Sequence, residues 1–218
     1  MKMAARMERM GVPGYEGLTD GSKAGPIWTG EVRESPEHII RKPYGWRKGR
    51  RIFVNSMSDL FHPDASEKAR WAVVVAACKL PQHTFQVLTK RSEGMRDWFA
   101  KNCTDPPRNL WLGVSVEDRQ RKDRIDDLRQ TPAAVRFVSY EPALSHLGDV
   151  DLSGIHWLIA GCESGPHARE TPATAMRHIR DACAAQGVAF FLKQDMRDGR
   201  LVSLPELDGV RHMAFPGS

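Results

Sequence analysis

Short β-branched and aromatic runs recur along most of this chain, and their spacing constrains its fold more than any other feature. The runs are Ile52-Phe53-Val54, 85–88, 110–114, 135–138, 157–160 and 189–192. Each is rich in residues that suit a pleated, half-buried surface. Their starts lie 33, 25, 25, 22 and 32 residues apart, and a strand, a helix and two loops need about 30 residues. Most of the intervening pieces read as helices. Residues 64–80 open on an Asp or Ser cap and carry an Ala/Val/Trp face. Residues 93–101 group Met95, Trp98 and Phe99, and 117–129 turn Ile125 and Leu128 inward. Residues 172–186 follow Thr171 as a cap and stop at Gly187. Only 140–156 lacks a helix. Repeated β-α units predict a parallel sheet with right-handed connections.

The first fifty residues break this rhythm. Residues 1–10 predict a helix with Met3, Met7 and Met10 on one face, stopped by Gly11-Val12-Pro13-Gly14. Residues 14–30 are Gly-rich and aperiodic. The run Arg41-Lys42-Pro43-Tyr44-Gly45-Trp46-Arg47-Lys48-Gly49-Arg50-Arg51 holds six positive charges, two aromatics and no acid. The expected organisation is therefore a helix and an irregular basic segment over 1–51, an α/β core over 52–195 and a tail over 196–218.

Composition narrows the functional classes. The 218 residues are 41% hydrophobic and 27% charged, as in ordinary globular chains. A net charge of +5 permits an anionic partner without demanding one. No apolar run approaches the roughly 18 residues of a membrane span. Lys2 and Arg6 precede no apolar segment of the kind a secretory signal carries. Four cysteines with no close pair argue against a disulfide scaffold. The expected location is cytoplasmic.

In a parallel α/β sheet, chemistry gathers at the carboxyl ends of the strands. The exits read Asn55-Ser56-Met57-Ser58-Asp59, Thr89-Lys90-Arg91, Ser115 with Glu117 and Asp118, Ser139-Tyr140-Glu141, Gly161-Cys162-Glu163-Ser164-Gly165, and Lys193-Gln194-Asp195. All six are polar and predict one shared rim. Glu141 and Glu163 form a candidate acid/base pair, or simply pair with Lys90, Arg91 or Lys193. Lys193, behind Phe190-Phe191-Leu192, is a candidate desolvated amine or an anion binder. Gly161 and Gly165 can offer N–H groups to a phosphate or carboxylate, or serve only as turn residues. They match neither a Walker loop nor a dinucleotide fingerprint.

His62 follows the first run, and His83, His146, His156, His167 and His178 are scattered. No His/Cys spacing matches a zinc site, and no metal ligand is expected. Cys78 and Cys183 read as core, Cys103 as loop, and Cys162 as a strand-end thiol open to solvent. Arg47, Lys48, Arg50 and Arg51 are candidate phosphate contacts, with Tyr44 and Trp46 stacking on bases. The rival reading is a solvated connector.

Six segments together point further: RRIFVNSMSDLFHPD at 50–64, QVLTKRSEGM at 86–95, NLWLGVSVED at 109–118, RFVSYEPAL at 136–144, GCESGPHAR at 161–169 and FFLKQ at 190–194. With MGVPGYEGL at 10–18 and PIWTGEV at 26–32, they resemble a phage-associated family of uncharacterised three-cysteine-motif proteins. The resemblance spans roughly residues 1 to 195. It implies a radical S-adenosylmethionine-like protein with an open partial TIM-like (β/α) barrel of about six parallel strands. In such relatives an N-terminal strand carries three closely spaced cysteines that hold a [4Fe–4S] cluster. The chain starts about where the family continues after the last of them, so the cluster ligands and the family's first strand are expected to be missing.

A misassigned start, a degenerate remnant and a binding protein reusing the barrel all stay open. From their place at the strand exits, Asn55, Ser56, Ser58, Lys90, Ser115 and Glu117 are the candidate cofactor-binding residues of such an enzyme, and Glu141, Glu163 and Lys193 its candidate catalytic residues. A metal-free hydrolase using Glu141 and Glu163 and a non-catalytic nucleic-acid-binding module are the alternatives. The open edge of the 52–54 strand is expected to be covered by residues 26–32, by a second copy or by a partner.

Overall fold

The computed structural model describes residues 2–23, 25–165, 168–169 and 171–217. Met1 of the expected first helix and His167 lie outside them. The fold is mixed α/β, built on a seven-stranded, mostly parallel sheet curled as an open partial barrel and flanked by helices. The chain divides into two compact units, Met1–Phe85 and Gln86–Ser218.

In the first unit, α1 (Lys2–Arg9) is followed by β1 (Thr19–Ser22) and β2 (Gly25–Trp28), a two-stranded antiparallel ribbon. Residues 26–28 therefore pair with their own neighbour and form no strand of the main sheet. The short helix α2 (Glu37–Ile40) and a 3-10 turn (Lys42–Gly45) lead into β3 (Arg51–Val54), the first strand of the large sheet. Helix α3 (Glu67–Lys79) starts at Ser66, whose hydroxyl accepts the Ala69 N–H at 3.0 Å, the bond that stabilises a helix start. Cys78 on this helix is exposed, not core. The buried face is carried by Val74, Ala76 and Ala77 instead.

The sheet follows chain order from β3 through β4 (Thr84–Thr89), β5 (Leu110–Ser115), β6 (Val135–Tyr140), β7 (Trp157–Gly161), β8 (Ala189–Arg197) and β9 (Arg200–Ser203). The parallel pairs β5–β6, β6–β7 and β7–β8 are the predicted repeats. Period-two alternation sorts their side chains onto two faces. One face carries Leu110, Leu112, Val114, Val138, Leu158, Phe190 and Leu192, all buried. Helices α4 (Ser92–Asn102), α5 (Asp123–Gln130) and α6 (Ala173–Ala185) bring Met95, Phe99, Leu128, Met176 and Ile179 to the same core. Burying each such side chain is worth about 1.5–3 kcal/mol.

The other face holds an aromatic layer. Trp157 lies 6.0 Å from Trp111, 5.9 Å from Phe137, 6.0 Å from Phe191 and 4.9 Å from Phe215, ring centre to ring centre. Gly113 makes room for it, since a Cβ there would fall 2.5 Å from the Phe137 ring.

Three local expectations change. Thr171 does not cap α6: its hydroxyl donates to the Ala143 carbonyl, and Pro172 stands at the cap position. The helix expected over 117–129 shortens to a 3-10 turn (Arg119–Arg121) and α5, because the Asp118 carboxylate caps the turn by accepting the Gln120 N–H. The expected tail is ordered strand. Asp198-Gly199, both with positive φ, turns β8 into β9, and Asp208-Gly209 does the same between β10 (Glu206–Leu207) and β11 (Val210–Arg211). Such Asp-Gly pairs suit the twist of tight hairpins. Residues 212–214 then bond to β8, and the Trp157 indole donates to the Ala214 carbonyl at 2.9 Å.

Candidate functional site

Two adjacent strands end alike. Ser115-Val116-Glu117 closes β5 and Ser139-Tyr140-Glu141 closes β6, and Ser115 and Ser139 are direct partners in the parallel register. The Val116 N–H still donates to the Ser139 carbonyl, so the extended course continues past the strand ends. Period-two alternation then sends each glutamate to the side its serine takes. The pairing brings two carboxylates to one edge of the sheet.

Each carboxylate has its own cations. Glu117 ion-pairs with Lys90, at the exit of β4, through Oε1, and with Arg124 of α5 through Oε2 at 3.0 Å. The same Arg124 nitrogen donates to the Ser115 carbonyl at 2.7 Å. Burial alone would raise the Glu117 pKa, but the Lys90 and Arg124 charges outweigh it and the net shift is downward. Glu141 accepts from the Ser139 hydroxyl at 3.2 Å and pairs with Lys193 Nζ at 3.1 Å. Gly161 is what admits this carboxylate, because a Cβ there would stand 2.7 Å from Glu141 Oε1. Lys193 lies within β8, not beyond it, since the strand runs on to Arg197.

Glu163 is separately engaged. Arg169 grips both of its oxygens at 2.8 Å and adds its backbone N–H at 2.9 Å. These bonds hold the Glu163 carboxyl down at about 2, so it stays an anion and cannot serve as a proton donor near neutral pH. Cys162 is buried, contrary to the expected open thiol. Burial, then the Asp195 and Glu141 charges, push its pKa up. The loops after β5 and β6 frame an open cleft of about 580 Å³, lined by Asp118, Arg119, Gln120, Leu144, Ser145 and His146 and by none of Lys90, Glu117, Glu141 and Lys193. That volume falls in the range of small-molecule sites.

The structure thus groups Lys90, Ser115 and Glu117, and groups Glu141 with Lys193, all along the carboxyl edge of one unit. It gives Glu163 a partner of its own. Asn55, Ser56 and Ser58 belong to the other unit, in the turn after β3, where Asn55 takes a positive φ and its carbonyl accepts the Ser58 N–H. Arg47, Lys48, Arg50 and Arg51 are exposed in that unit as well. Arg124 and Arg169 escaped the sequence reading, and Gly161, read as an N–H donor or a turn residue, instead leaves the space that Glu141 occupies. Arg124 looked like one more charge on a charged helix. The paired Ser-x-Glu endings were the signal for the rim.

A [4Fe–4S] cluster needs thiolates converging on one point. Cys183 is buried on α6 with its thiol pushed up to about 12 by burial, Cys162 is buried at β7, and Cys78 lies on α3 of the other unit. Among the described residues no group of three His, Cys, Asp or Glu side chains is placed to hold a metal ion. These residues do not fit the cluster. No helix among the described residues is long and apolar enough to cross a membrane.

Fold and site define an α/β partial-barrel protein with a charge-paired rim at its carboxyl edge. Over residues 1–216 the chain matches the model of a family described as a protein of unknown function, DUF5131, and it belongs to that family. No curated protein and no solved structure matches it.

Proposed function

We propose that this chain is a radical S-adenosylmethionine-like protein of the phage-associated type that binds S-adenosylmethionine at the Glu117–Glu141 rim, with nucleic acid as its eventual target. The observation that carries the reading is the matched pair of Ser-x-Glu endings, each carboxylate facing a lysine. S-adenosylmethionine offers an ammonium and a sulfonium for carboxylates, a carboxylate for lysines and ribose hydroxyls for either. Glu117 and Glu141 would accept from the ammonium and the ribose, and Lys90 and Lys193 would pair with the carboxylate. A carboxylate already ion-paired at an open edge can exchange its lysine for a ligand cation without being left bare in a low-dielectric site.

Isothermal titration of the full chain with S-adenosylmethionine tests this. The expected result is saturable binding, weakened tenfold or more in Glu117→Gln and Glu141→Gln. Absence of heat at millimolar ligand, or equal affinity in both variants, overturns it. The hydrolase reading has less support, because its second acid, Glu163, is committed to Arg169.

A further inference from the structure

The basic segment 41–51 is not a loose connector. His83, almost fully buried, clamps it from beneath. The Arg50 N–H donates to His83 Nδ1 at 3.2 Å, which leaves the ring proton on Nε2 to face the Pro43 carbonyl at 3.1 Å. One ring thus ties both ends of the loop to the body of the first unit. Trp46 sets its ring edge-on to His83 at 6.0 Å, and the Thr84 N–H donates to the Arg50 carbonyl at 2.9 Å. Gly49 lies so close to the Gln82 carbonyl that a Cβ would meet its oxygen at 2.7 Å. The backbone of the loop is therefore fixed while its charged side chains stand in solvent.

What it displays is specific. Arg47, Lys48, Arg50 and Arg51 are exposed, and Tyr44 is 45% exposed. The Arg50 guanidinium lies over the Trp46 ring at 4.4 Å, a planar cation on a planar ring. Arg41 pairs with Glu37 at the edge of the run, at 2.8 Å. Fixed positive charges interleaved with aromatic faces are what a single nucleic-acid strand needs: cations for successive phosphates and flat surfaces for unpaired bases.

A second copy of this chain is a poor occupant, because two such runs would repel. A membrane surface is favoured by a longer amphipathic helix than the four-residue α2, although Ile39 and Ile40 on it are exposed. We infer that the His83-clamped loop 41–51 is a docking site for single-stranded nucleic acid, read through its backbone charge and stacked bases and not through sequence.

The test is fluorescence anisotropy of the full chain with a labelled single-stranded oligonucleotide of about 20 nucleotides, from low to moderate salt. Expected is an affinity that falls steeply with salt. In Arg47→Ala/Lys48→Ala/Arg50→Ala it should drop at least tenfold, with the log–log salt slope shallower by about 2, since each phosphate contact on a single strand contributes about 0.7. His83→Phe leaves the charge unchanged but releases the clamp, and should weaken binding several-fold with the far-ultraviolet spectrum intact. If that variant does not fold, Gly49→Ala serves the same purpose. Two results overturn the inference: equal oligonucleotide affinity in the triple variant, or tighter binding to vesicles of anionic phospholipid than to the oligonucleotide. S-adenosylmethionine binding in the triple variant should be unchanged, so failure here and failure at the rim are distinguishable.

Discussion

The two units treat their apolar side chains differently. In residues 86–218 the strands and helices bury Leu110, Leu112, Phe137, Leu158 and Ile179 almost completely, and the large apolar side chains left exposed among the described residues fall within Leu201, Val202, Val210 and Met213 of the terminal hairpins. In residues 1–85 Met10, Trp28, Ile40, Tyr44, Phe53 and Trp71 are all exposed. The charged groups divide similarly. On the rim of the second unit cations meet carboxylates, as Lys90 and Arg124 meet Glu117. In the basic loop of the first unit the charges stand together, displayed by a buried histidine. One region satisfies itself and the other is built to be met.

Thiol chemistry should divide the units most sharply. With iodoacetamide at pH 8, Cys78 should alkylate readily and Cys183 should be spared. A thiol pushed up to about 12 holds roughly a thousandfold less thiolate than an ordinary one. Peptide mass mapping over time reads this out, and early labelling of Cys183 would break the contrast. Next in size is the core. Phe137→Ala, in the aromatic layer with Trp157, should cost about 3–5 kcal/mol in urea unfolding. Gly113→Ala should cost about 1–3 kcal/mol, because the new methyl collides with the Phe137 ring.

Glu117→Gln should cost about 1–2 kcal/mol near neutral pH by leaving Arg124 without its carboxylate. Its pH dependence has a definite sign. The folded-state pKa is lowered, so the contribution is fully present above the ordinary carboxylate value and disappears as pH falls through the folded one. The variant and the parent chain should therefore converge in stability in acid. A constant gap from neutral to strongly acidic pH would show that Glu117 is not stabilised as a charge. The smallest effect belongs to the first unit: Phe53→Ala, at an exposed position of β3, should change stability by no more than about 0.5 kcal/mol. A core-sized loss there would mean that Phe53 is covered in solution.

Much of this was legible in advance where local pattern and tertiary role coincide. A parallel strand buried on both faces must read as a short apolar run, and β5, β6 and β7 do. Helix ends were less legible, since Thr171 has the chemistry of a cap yet spends its hydroxyl on the Ala143 carbonyl. The ribbon of β1 and β2 was hidden because its exposed residues need no apolar alternation. The Asp198-Gly199 and Asp208-Gly209 turns were present as signals for the terminal hairpins and went unread amid a polar tail.

Residue type and spacing by themselves determined the repeated β-α plan, the parallel direction of its strands and the polar character of their exits. These depend on periods of two and 3.6 residues and on connection length, which are properties of a chain segment. Only the tertiary structure decided the partners: Arg124 and Lys90 with Glu117, Lys193 with Glu141, Arg169 with Glu163, and His83 under the basic loop. Charge pairing falls off over a few ångströms, and which cation comes within that reach of a carboxylate depends on register and on backbone approach at glycines such as Gly161 and Gly49. Those distances exist only once distant segments have packed.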